Sequence, residues 1–88
     1  MSYSIEWEGD SFSELNKLEK DIAKRILDKV EEACENPAHF IERLANMSES
    51  KIRVGDYRVI LFIDNTTKKF KIQAVGHRKN IYKRYNVE

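Results

Sequence analysis

The chain has 88 residues, 41% hydrophobic and 35% charged, enough for one globular domain spanning 1–88 and no second. It has no run of about 18 apolar residues to cross a membrane, and its start reaches acid too early, at Glu6, to read as a secretory leader. A single cysteine, Cys34, rules out an intramolecular disulfide, so the expectation is a soluble, cytoplasmic protein. The formal charge of +1 hides an asymmetry: residues 1–50 carry six basic and twelve acidic side chains, residues 51–88 ten basic and three acidic. A basic half of this kind either offers a polyanion a place to dock or attracts the acidic half of its own chain.

Along the chain, Tyr3 to Trp7 alternates apolar and polar, as a half-buried strand does. Asp10 or Ser11 can cap a short helix, with Glu14 as capping-box partner and Phe12, Leu15 and Leu18 on its inner face. A second helix is expected from Asp21, because Ile22, Ile26, Val30 and Cys34 recur every fourth residue. Asn36-Pro37 ends it, since the residue before proline is pushed out of helical geometry. Phe40, Ile41, Leu44 and Met47 suggest a further helical turn or two. After Ser50 the period becomes two. Lys51 to Val54 alternates, Gly55-Asp56 turns, and Tyr57 to Ile63 is β-branched and aromatic. Asp64 to Thr67 reads as a hairpin loop, Lys68 to Val75 as the returning strand, and Arg78 to Tyr85 as a last short helix. The expected fold is α+β in the order β-α-α-β-β-β-α: a mainly antiparallel four-stranded sheet with two N-terminal helices on one face.

Strand parity then sorts residues by face. Tyr3, Ile5, Trp7, Ile52, Val54, Val59, Leu61, Ile63, Phe70, Ile72 and Ala74 form an apolar set for the helices to cover. The opposite set holds Lys51, Arg53, Arg58, Lys69 and Lys71, with Ile60, Phe62, Gln73, Val75 and His77 among them. Unpaired cations do not form a dry core. The second face is therefore expected to be open, concave and basic, partly shielded by the tail helix. Arginine forks and lysine point charges suit phosphate oxygens. There is neither a glycine-rich phosphate loop nor a Cys/His metal spacing, so the reading assigns no metal and no cofactor. A fitting reaction is RNA cleavage by the 2′-hydroxyl, in which the protein removes one proton, stabilises the phosphorane and protonates the 5′-oxygen.

Two segments, Lys51-Ile-Arg-Val-Gly-Asp-Tyr-Arg-Val-Ile60 and Ala74-Val-Gly-His-Arg-Lys79 followed by Ile81-Tyr82, resemble the RelE family of toxins within the RelE/ParE superfamily. The resemblance implies a type II toxin that cuts mRNA in the ribosomal A site and a RelB-like antitoxin that holds it inactive in a hetero-oligomer, with no membrane involved. By motif, Lys51, Arg53, Arg58, Arg78 and Tyr82 would be catalytic. Lys69, Lys71, His77, Lys79 and Tyr85 would contact RNA, and Ile60 and Phe62 would seat the antitoxin. Arg53 stands where the family commonly has lysine, which leaves Lys51, Tyr82 and His77 as rivals for the general base. Two other readings compete: a ParE-like inhibitor that binds DNA gyrase without nuclease chemistry, and a degenerate homologue that only binds antitoxin or RNA.

Overall fold

The computed structural model describes residues 2–44 and 48–85. Strand β1 (Ser4–Trp7) leads into helix α1 (Ser11–Asn16) and the long helix α2 (Lys20–Glu35). A single turn, α3 (Pro37–Phe40), comes next, followed by β2 (Ile41–Arg43), β3 (Ser50–Val54), β4 (Tyr57–Asp64), β5 (Lys69–His77) and the tail helix α4 (Arg78–Arg84). The strands form one sheet in the order β1-β5-β4-β3-β2, antiparallel throughout except for the parallel β1–β5 pair. The α+β class is as expected, with one strand more than the sequence suggested and the further helical turn at Pro37–Phe40, ahead of Ile41 and Leu44. Pro37 ends α2 but also starts α3, because its fixed φ and missing N–H suit the first turn of a helix. The chain extends at Ile41 instead of continuing helically, since Ile41, Glu42 and Arg43 find backbone partners along β3. Met47 lies outside the described residues.

The first face of the sheet is packed as parity foretold. Ile26, Val30, Ala33 and Cys34 of α2 and Leu15 of α1 bury against Ile52, Val54, Val59, Leu61, Phe70 and Ile72. Tyr3, Ile5 and Trp7 flank this core, and Phe12 stays half exposed with its ring edge-on to Trp7. None of the described helices is long and apolar enough to cross a membrane.

Parity fails in one place. Ile60 pairs with Ala74 but Leu61 pairs with Ile72, so Gln73 is an extra residue in β5, a bulge. An unpaired residue reverses the facing of everything beyond it. Val75 therefore joins the α2 core and Ala74 turns to the opposite face, the reverse of the expectation for both. His77 moves with Val75. It lies opposite Tyr57 on the helix side, with the two rings edge-on at 5.4 Å, and so does not join the cationic face.

Candidate active site

On the second face, Ile60, Ala74, Leu44 and Ile81 form a small core of their own, with Tyr82 and Tyr85 packed at its rim. The tail helix therefore closes over the apolar strip that the sequence placed among the cations. Ile60 is fully buried by its own chain and cannot serve as an open seat for a partner, which corrects that expectation. Phe62 remains half-buried and lines a groove with Tyr3, Ile41 and Ile63 at the far end of the sheet.

Arg58 is the centre of the site. It is only 3% exposed, with its guanidinium held on both sides: Nη1 donates to the carbonyls of Gly55 at 2.7 Å and Tyr57 at 2.8 Å. Nε donates to the Tyr82 hydroxyl at 3.3 Å, and the guanidinium carbon lies 5.9 Å from the Tyr82 ring centre, within cation–π range. The three bonds engage three of the five N–H groups of the fork, and Nη2 makes none among the described residues. The Tyr82 oxygen accepts here, which leaves its own proton to donate elsewhere.

The tail helix is set in place by its start and its inner face. The Arg78 amide donates to the Asp56 carbonyl at 2.8 Å, tying the helix to the β3–β4 turn, while Ile81 inserts beneath. Tyr82 follows Ile81 and thus lands on Arg58. Tyr85, expected to contact RNA, ends the helix beside Arg84 at the edge of the small core. The Arg78 and Lys79 side chains are exposed. His77 caps the helix instead of facing a ligand: its Nδ1 accepts the Lys79 amide at 3.2 Å.

Lys51 lies opposite Ile60 and is 4% exposed, with Nζ 3.7 Å from the Glu42 carboxylate on β2. Arg53 lies directly across from Arg58 and is exposed, beyond the last residue that β2 covers. Like charges directly opposite destabilise a strand pair, so the Arg53–Arg58 juxtaposition is a local cost that the fold offsets through the turn carbonyls.

Lys69 and Lys71 are on the expected face but away from this cluster. They lie opposite Asp64 and Phe62, six and four residues along β4 from Arg58, or about 20 and 13 Å at strand rise. Each is ion-paired, Lys69 with Glu6 at 3.2 Å and Lys71 with Asp64 at 3.6 Å. The hydrogen bond from Lys69 holds the Glu6 carboxyl below its ordinary range. The Asp64 carboxyl is likewise lowered, chiefly by the Thr67 amide.

Two residues that sequence reasoning did not connect with the site also bear on it. Glu42 became a partner for Lys51 only once β2 proved to be a strand. Glu14, expected in a capping box, instead spans α1, β5 and α4: one oxygen accepts the Val75 amide and the other pairs with Arg84 Nη1, both at 2.9 Å.

This arrangement can be set beside known proteins. The family described as ParE toxin of the type II toxin–antitoxin system parDE matches residues 5–82. The fold is similar to that of the RelBE2 toxin–antitoxin complex of Mycobacterium tuberculosis (TM-score 0.80, 21% identity, covering 89% of this chain and 100% of that one). It is also similar to the isolated Escherichia coli RelE toxin (0.76, 21%, 94% of each chain) and to the archaeal RelE–RelB complex of Pyrococcus horikoshii (0.69, 25%, 89% and 97%). No curated protein sequence matches significantly.

Proposed function

Because the chain belongs to the RelE/ParE superfamily of type II toxin–antitoxin toxins, we propose that it is a single-domain, cytoplasmic mRNA endonuclease that acts in the ribosomal A site without a metal. The supporting observation is the convergence of Arg58, Tyr82 and Arg53 beside Lys51 and Arg78 around the β3–β4 turn. In this reading a scissile phosphate meets Nη2 of Arg58, which bonds to no described residue, with Arg53 and Arg78 closing on its other oxygens. The fork then strengthens its hold as charge grows on the phosphorane. The attacking 2′-oxygen bonds to phosphorus and passes its proton to solvent, the P–O5′ bond breaks to leave a 2′,3′-cyclic phosphate, and the departing 5′-oxygen takes up a proton. Tyr82 is the group to supply that proton, since its oxygen already accepts from Arg58 and its O–H donates to no described residue. Lys51, ion-paired to Glu42, adds fixed positive charge behind the site. His77 is set aside as the base because its Nδ1 and ring are occupied elsewhere.

The relatives crystallised with RelB support a RelB-like antitoxin as partner for this chain. With Ile60 covered, such a partner meets Phe62 and the exposed cations first.

A second reading has one observation in its favour: the matching family is that of ParE. On it the chain is a non-enzymatic inhibitor of DNA gyrase. The deciding experiment adds the purified protein to programmed ribosomes and maps mRNA ends, beside a gyrase supercoiling assay. The nuclease reading expects A-site cuts, with Arg58→Ala or Arg78→Ala each lowering the rate about 10²–10³-fold. Gyrase inhibition with intact mRNA would replace it with the second.

A further inference from the structure

Two guanidinium groups, that of Arg53 from the proposed site and that of Arg25, have no ionic partner among the described residues. Arg25 of α2 and Arg53 of β3 line a groove of about 380 Å³ between α2 and the β3–β4 turn, together with Asp28, Lys29 and Glu32. The two acids are partnered along the helix, Asp28 with Lys24 at 3.0 Å and Glu32 with Lys29 at 3.8 Å, which leaves the two arginines as the groove's unmatched charge. Arg25 is located by the turn itself. Gly55 holds φ at +59°, and a β-carbon there would come within 3.0 Å of Arg25 Nη2. The carbonyl of the same Gly55 receives Arg58 Nη1 at 2.7 Å. One glycine thus separates the Arg58 fork from the Arg25 fork, so a guanidinium group flanks the turn on each side.

We propose that Arg25, reached from the proposed site by way of Arg53, forms an anion subsite for an RNA phosphodiester neighbouring the one held at Arg58 and Arg53. Planar forks suit phosphate oxygens, and with no side chain at Gly55 the Arg25 fork lies against the turn, beside the residue that anchors Arg58. An acidic protein segment fits less well, because such a partner needs apolar surface to bury. Val54 is the only apolar side chain in the lining, and it already belongs to the core. The assignment rests on the nuclease reading.

The test measures binding of the full chain to a 2′-O-methyl mRNA, free and in the A site of programmed ribosomes, over a salt series. Arg25→Ala should lower the slope of log affinity against log salt by about 0.7–0.9, which at 0.1 M salt is roughly a five- to eight-fold loss. Arg25→Lys should keep most of the slope. Lys20→Ala, which removes the same charge from α2 outside the groove, should leave it unchanged. A lower slope in both arms assigns the phosphate to mRNA, and one confined to the ribosome arm assigns it to ribosomal RNA. Slopes for Arg25→Ala equal to wild type in both arms, with wild-type cleavage intact, overturn the subsite alone. If Arg25→Ala loses affinity only for the antitoxin, the groove belongs to that partner and the RNA assignment falls. Wild-type protein that neither binds nor cleaves overturns the nuclease reading, and the subsite with it.

Discussion

Removing the Glu14 carboxylate should loosen both the β5 bulge and the tail helix. β1 pairs with β5 only as far as Ile72, so the Val75 amide has no strand partner on that side and takes the Glu14 carboxylate at 2.9 Å instead. A hydrogen bond to a charged acceptor contributes about 1.5–3 kcal/mol net. The second oxygen pairs with Arg84, whose side chain is 47% exposed, so that contact contributes only about 0.2–1 kcal/mol after solvent screening. The hydrogen bond to the backbone is therefore the larger effect. Glu14→Ala should cost about 2–3 kcal/mol, lowering the Tm by roughly 8 °C or more in a domain of this size. Glu14→Gln keeps a carbonyl for Val75 and should cost only about 1 kcal/mol, while Arg84→Ala should cost less than that. Urea unfolding gives the three free energies, and amide exchange at Val75 should quicken in Glu14→Ala but not in Arg84→Ala. Equal losses for Glu14→Ala and Arg84→Ala, with Val75 protection unchanged, would refute the assignment of the stability to the backbone bond.

Three further outcomes follow from the packing. Burial, aided by Glu35 and Glu31, raises the Cys34 thiol from its usual value near 9 to about 11. The folded state thus holds the proton more tightly than the unfolded chain, and stability should fall as pH rises from about 9 to 11, by about 2–3 kcal/mol in all. A Cys34→Ala variant should lack that slope in alkaline urea titrations, and a thiol reagent should modify native Cys34 only at the rate of opening. Gly55→Ala forces a β-carbon into the left-handed region and onto Arg25, so it should destabilise by about 1–2 kcal/mol in thermal melts. Ile81→Ala empties the fully buried position under the tail helix. It should cost about 2–4 kcal/mol by urea unfolding, and α4 amides should exchange faster than those of α2.

How much of this was legible in the residues depends on how local each cause is. The four-residue spacing of Ile22, Ile26, Val30 and Cys34 and the alternation through Lys51 to Ile63 are covalent periodicities. They placed α2, β3 and β4, and they brought Lys51, Arg53 and Arg58 to one end of one face without reference to any other segment. The positive φ at Gly55 belongs to the same class, since only a turn there lets the two strands pair. What the sequence could not contain is the outcome of competition between distant segments. The bulge at Gln73 carries no glycine or proline to announce it. It lies in β5 between its pairing with β4 and the Val75 amide held by Glu14, and it moved His77 to the helix side and Ala74 beneath Ile81. In the same way, Ile41 to Arg43 has too few residues to state a period and became a strand only because β3 offered it an edge, which is what placed Glu42 beside Lys51. Parity could say which way Ile60 pointed. Whether it met solvent or Ile81 was settled by the docking of the tail helix, because burial is a property of two surfaces and a sequence segment describes only one.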